Sequence, residues 1–126
     1  LFATLLIGMS KKFDKSLSDT DNIANMFKEG VNSMKLRGKA DIGEKTMLDV
    51  LVPVSDTLNE VRNETNIKEI ANKIKIVAEK GMLSTKDLIA TKGRASFLGE
   101  RAKGHIDPGA RSSQLVIEAI CNQFIK

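Results

Sequence analysis

Apolar residues recur every three or four positions through most of this chain, the spacing that lines one face of a helix. Ile23, Met26, Phe27, Gly30, Val31 and Met34 form one such stripe, with Lys28, Glu29 and Lys35 on the other side. Asp19 or Asp21 is placed to cap this helix and Arg37-Gly38 to end it. Met47, Leu48, Leu51, Val54, Leu58 and Val61 predict the next helix. Pro53 falls inside it and removes one backbone hydrogen bond, so a kink there, or a start delayed to Pro53, is expected. Ile67, Ile70, Ala71, Ile74, Val77, Ala78 and Gly81 make a further stripe, which Thr85, Leu88 and Ile89 extend toward Lys92. Gly81 weakens that long helix by about 1 kcal/mol of propensity relative to alanine.

The run from Leu1 to Met9 begins without a capping residue and without a basic segment ahead of it. Residues 1–13 therefore read as the remainder of a buried helix whose upstream part is absent, not as a signal peptide. Asp107-Pro108 opens the last helix, because Asp can accept free N–H groups and Pro is pre-set for a first turn. Leu115, Val116, Ile117, Ala119, Ile120, Cys121, Phe124 and Ile125 make it apolar on nearly every side, so a central position is expected. No stretch alternates with period two for long enough to predict a strand. The expected fold class is all-α, about five helices, with more apolar surface than they easily cover. Gly38 to Thr46 and Gly93 to Gly109 interrupt the periodicity with glycines and read as loops, the second long enough to be functional or disordered.

Composition narrows the chemistry. Among 126 residues, 20 Lys+Arg stand against 16 Asp+Glu, and residues 64–126 carry the whole +4 excess. Lys86, Lys92, Arg94, Arg101, Lys103 and Arg111 face only Asp87, Glu100 and Asp107, a balance that suits an anion such as phosphate or, more blandly, a solvated loop. Five Phe without Trp or Tyr leave few platforms for stacking bases, so nucleic acid is not an expected partner. The single Cys121 excludes an internal disulfide and a Cys-based zinc cluster and fits a reducing, cytoplasmic setting. The lone His105 excludes a His-rich metal site, and no run reaches the roughly 20 apolar residues of a membrane span. No Walker lysine, His-Glu-x-x-His or spaced Ser/His/Asp set is present. The residues alone stop at a helical domain whose glycine-rich loops can bind an anion through helix-start N–H groups and Arg.

Three stretches carry a more specific message: Gly38-Lys39-Ala40-Asp41-Ile42-Gly43-Glu44-Lys45-Thr46-Met47-Leu48-Asp49, then Gly93-Arg94-Ala95-Ser96-Phe97-Leu98-Gly99-Glu100-Arg101, then Gly104-His105-Ile106-Asp107-Pro108-Gly109-Ala110. In order and separation they resemble the ADP-binding L subunit of bacterial, phosphotransferase-system-dependent dihydroxyacetone kinase. Leu1-Phe2-Ala3-Thr4 resembles the start of the helix after that family's Gly-Gly-x-Ser-Gly-Pro phosphate loop. The resemblance implies that residues 1–126 are a single incomplete domain, the C-terminal part of a barrel of eight antiparallel helices with a nucleotide at one end. It implies close backbone approach to the nucleotide at Gly38, base packing by Met47 with Thr46 beside it, a phosphate contact from Arg94, and a covering turn at Asp107-Pro108-Gly109. Without it, Met47 is equally a core residue, Arg94 a solvated arginine and Asp107-Pro108 an ordinary helix start.

The resemblance also implies an activity. Bound ADP is rephosphorylated by the phosphoryl-donor M subunit of the phosphotransferase system, and the ATP formed passes its γ-phosphoryl group to dihydroxyacetone on a K subunit. That family's Mg2+ ions sit on aspartates in a Gly-Asp-x-Asp-His-Gly-like segment with no counterpart here, so no metal ligand and no catalytic residue is assigned. Asp41, Asp49 and Asp107 are not taken as substitutes, and the stretch by itself is expected to be inactive. His105 is expected to be structural, Cys121 a buried small side chain, and Lys39 and Lys45 more often solvated than phosphate ligands, though either can reach an anion. Arg111 departs from the family, which has a small or hydroxyl residue there. Two alternatives stay open: the C-terminal domain of a single-chain ATP-dependent kinase, and a catalytically silent helical interaction module.

Overall fold

Helices form where the stripes run. A computed structural model describes residues 7–8, 19–39, 41–64, 66–88 and 104–125. Among these residues there are four α-helices and no strand: α1 (Asp19–Gly38), α2 (Leu48–Glu60), α3 (Ile67–Ser84) and α4 (Pro108–Ile125), with one 3-10 turn at Thr85–Asp87. The fold class is all-α, as expected. Of the first expected helix only Ile7 and Gly8 are described, both helical, and the stretch 89–103 with Arg94 lies outside the described residues. Asp21 lies within the first turn of α1, and its carboxylate accepts from Arg62 Nε at 2.8 Å. Asn66 caps α3, its side chain accepting from Lys68 N and Glu69 N.

The contacts fix the directions. Asp21 near the start of α1 meets Arg62 just beyond the end of α2, so these helices are antiparallel. Lys75 in α3 donates to Asn122 near the end of α4 at 2.9 Å, while Thr85 after α3 meets Asp107 before α4, so these two are antiparallel as well. Up-and-down order therefore brings the α1–α2 loop, the end of α3 and the start of α4 to one end of the molecule.

The helix with neighbours on three sides is α2, which touches α1, α3 and α4. It buries Leu48, Val50, Leu51, Val52 and Val54, of which Val50 and Val52 lie outside the expected stripe. Val50 and Val54 pack with Ile70, Ile74 and Ala78 of α3 and Cys121 of α4. On the other side, Leu51 and Val52 join Val31 and Met34 of α1. The last helix is not central: α4 buries Ala110, Ser113, Gln114 and Cys121 but leaves Leu115, Val116, Ile120 and Phe124 about half exposed. Apolarity on every side measures how much surface wants cover; it does not name the helix that ends up enclosed.

Pro53 neither delays nor ends α2, which runs through it from Leu48. Lacking an N–H, Pro53 leaves the carbonyl of Asp49, four residues back, without its helical donor. That carbonyl faces Gly81 of α3: a Cβ on Gly81 would stand 2.3 Å from Asp49 O and 3.1 Å from Val50 Cα. Glycine here permits two backbones to meet, with room for a Cα–H···O contact to the orphaned oxygen. The propensity penalty at Gly81 is thus set against a close helix crossing.

The third helix also stops earlier than its stripe. α3 ends at Ser84, the 3-10 turn follows, and Leu88 is extended. Thr85 turns the chain: its hydroxyl donates to Met82 O at 2.7 Å and accepts from Asp107 N at 3.0 Å. That tertiary bond competes successfully with another helical turn.

Replacing Gly81 with Ala is expected to destabilise the fold by about 1–3 kcal/mol despite its better helix propensity, because backbone must move. Urea unfolding followed by circular dichroism measures it; a variant at least as stable as the parent would contradict the close crossing.

Candidate functional site

The loop between α1 and α2 is shaped by unusual backbone. Lys39 (φ 49°), Gly43 (φ 91°) and Lys45 (φ 60°) all lie in the left-handed region. Gly43 has open space where a Cβ would go, so its conformation, not crowding, favours glycine. The loop's inward N–H groups converge on Asp49, which is 2% exposed. Asp49 Oδ1 accepts from Gly43 N at 2.6 Å and Oδ2 from Thr46 N at 2.9 Å. Thr46 Oγ1 in turn accepts from Leu48 N at 3.1 Å. The exchange resembles a capping box one residue ahead of the helix, with only the Asp49 half made in full, and the Thr-x-x-Asp spacing at positions 46–49 is its sequence signal.

The start of α4 is capped as expected. Asp107 Oδ2 accepts from Ala110 N at 2.9 Å, and Asp107 O accepts from Arg111 N at 3.0 Å. The approach to it is tied to the end of α3, with Gly104 N donating to Lys86 O at 2.6 Å and Asp107 N bonding Thr85. Met47 bridges the two turns: a Cβ built on Gly109 would stand 3.7 Å from Met47 Cε and 3.2 Å from Asp107 Oδ2.

The structure thus brings Met47, Asp107 and Gly109 together, with Thr46 and Pro108 flanking them, Pro108 exposed. Gly38 is exposed as the last residue of α1, at the other root of the loop. Arg94 is outside the described residues. Lys39 is exposed as expected, but Lys45 is not solvated: it is 2% exposed, and Nζ donates to Thr85 O at 2.7 Å and to His105 O. Charge in a glycine-rich loop gave no sign of this burial, since the acceptors are carbonyls distant in sequence. His105 contributes that carbonyl while its residue is largely exposed. Cys121 is buried, and desolvation pushes its thiol above the ordinary range, with nearby Lys75 opposing.

Residues 1–122 match the DAK2 domain. The chain belongs to the DAK2 domain family. It is 40% identical over 120 residues to the "PEP-dependent dihydroxyacetone kinase 1, ADP-binding subunit DhaL" of Listeria innocua, covering 95% of this chain and 56% of that protein. It is 38% identical over 120 residues to the "PTS-dependent dihydroxyacetone kinase, ADP-binding subunit DhaL" of Lactococcus lactis, 95% of this chain and 55% of the relative. With the "PEP-dependent dihydroxyacetone kinase, ADP-binding subunit DhaL" of Escherichia coli the identity is 37% over 122 residues, 95% of this chain and 58% of the relative. The DAK2 chain therefore spans little more than half the length of these curated relatives.

Among the described residues, Asp41, Asp49 and Asp107 do not fit a divalent metal. Asp49 is committed to two main-chain N–H groups and Asp107 to capping α4. Asp41 accepts from Ile42 N at 2.7 Å and pairs with Lys35 at 3.3 Å. Among the described residues no group of three His, Cys, Asp or Glu could hold an ion. No step through magnesium is derived from these residues.

Asp49→Asn leaves one of Gly43 N or Thr46 N without an acceptor and is expected to cost about 1–3 kcal/mol, read as a lower thermal midpoint. Asp41 titrates below the usual carboxylate range, first through the Ile42 N–H bond and then through Lys35, both favouring the charged form. Lys35→Ala should therefore raise the Asp41 pKa in an NMR titration without restoring it fully; a fall would reverse the assigned sign.

Proposed function

We propose that this chain is the C-terminal part of a single nucleotide-binding domain, here incomplete, of the dihydroxyacetone kinase type, and that its 38–47 loop and 107–109 turn grip an adenine nucleotide. One observation carries the reading: Met47 and Gly109, from two of the three stretches on which the family resemblance rests, lie side by side at one end of the helices. Met47 offers a soft apolar face to a base. The N-terminal turn of α4 and the main chain near Gly38 offer close approach without bulky side chains, and Arg94 is assigned to the phosphates. The names of the relatives support ADP as the nucleotide.

In this reading the protein works in the cytoplasm as a phosphotransferase subunit. A phosphoryl-donor M subunit of the phosphotransferase system recharges bound ADP, and ATP passes its γ-phosphoryl group to dihydroxyacetone on a K subunit. This chain's residues hold and orient the nucleotide; the Mg2+ ligands are assigned to residues outside those described, in the N-terminal part of the family domain. Among the described residues no helix is long and apolar enough to cross a membrane.

Isothermal titration of the protein as encoded in full with ADP and magnesium is expected to give saturable binding. Arg94→Ala should weaken it by about tenfold or more, the scale of one charge-assisted contact, with unchanged helicity. No heat with ADP would favour the silent interaction module, and equal affinity of the variant would remove Arg94 from the site.

A further inference from the structure

An ammonium group buried to 2% exposure is costly unless its donors are used, and packing alone would be served by an apolar side chain. Lys45 places two of its three donors on main-chain carbonyls of Thr85 and His105. These acceptors belong to the two segments that also bond each other through Gly104 N to Lys86 O and Asp107 N to Thr85 Oγ1. Lys45 therefore joins three pieces of chain: its own loop, the end of α3 and the approach to α4. Two residues beyond it stands Met47, and two residues beyond Asp107 stands Gly109, so close that a Cβ on Gly109 would stand 3.7 Å from Met47 Cε.

From this arrangement we infer that Lys45 is a positioning residue: its buried ammonium sets the separation between Met47 and the Asp107–Gly109 turn, and thereby the affinity for an adenine nucleoside diphosphate. The inference rests on the nucleotide reading above. Lys45 acts through Met47 and the turn and not as a phosphate ligand, because its donors point to carbonyls inside the protein. Its left-handed backbone is the same strain for any unbranched side chain, so Lys45→Met removes the donors and the terminal atom while keeping the rest of the stem and the backbone conformation.

The test is ADP titration, with magnesium, of the protein as encoded in full. Lys45→Met, shown folded by circular dichroism, should bind ADP about tenfold or more weakly, as expected for loss of hydrogen bonds to a charged group. Lys73→Met, which removes an exposed charge from α3, should bind as the parent does. Met47→Ala should weaken ADP binding in the parent and add little in the Lys45→Met background, because the contact is already displaced. Additive losses would mark Lys45 as merely structural and overturn the inference, as would unchanged affinity in folded Lys45→Met. If Lys45→Met does not fold, Lys45→Arg keeps the charge with a longer, planar head and should weaken ADP several-fold; parent-like affinity there also overturns it. A parent protein that binds no ADP overturns the nucleotide reading and this inference with it, whereas a binding parent with an unaffected Lys45 variant overturns this inference alone.

Discussion

Irregular backbone that turns in toward a helical core must find hydrogen-bond partners there, and where the α1–α2 loop meets the end of α3 two buried side chains, Asp49 and Lys45, supply them. Asp49 gathers N–H groups from the loop that precedes it, and Lys45 gathers carbonyls from the segments opposite. They stand four residues apart, on either side of the start of α2. The apolar core orders the helices, but it has no means of fixing a loop with three left-handed residues. The polar pair does that, so the shape of the site depends on main-chain satisfaction more than on side-chain packing.

The pattern along the chain was sufficient for the helices because the stripes at 23–34, 47–61 and 67–81 coincide with buried faces. It also located both turns, since glycine and the Asp-Pro pair punctuate strongly. What it did not supply has a common cause in contacts distant in sequence. The end of α3 is decided by Thr85 bonding Asp107, twenty-two positions away. The burial of Lys45 is decided by carbonyls forty and sixty positions away. Residue identity scarcely reports a carbonyl acceptor, because every residue has one. The Thr46 to Asp49 exchange is the exception: it is local, its Thr-x-x-Asp spacing is visible in the sequence, and the reading of the stripes passed over it.

Central placement is a similar case. α4 is apolar on most sides and α2 has a conventional stripe, yet α2 is the enclosed helix. Which helix is enclosed depends on the chain path: α2 lies between α1 and α3 and also receives α4 from the far side. Periodicity likewise did not show that Met47 lies beside Gly109, a proximity between segments more than sixty positions apart.

The meeting of Asp49 O with Gly81 behaves as a key in a slot. Because Pro53 cannot occupy that oxygen, α2 presents a polar notch that accepts only a residue without a side chain, and Gly81 is the glycine in α3. Sliding either helix by one turn, about 5.4 Å, would push the notch against a side chain. Gly81 sits one turn before Thr85 and Asp49 four residues after Lys45, so the joint gauges how high the α1–α2 loop stands relative to the end of α3.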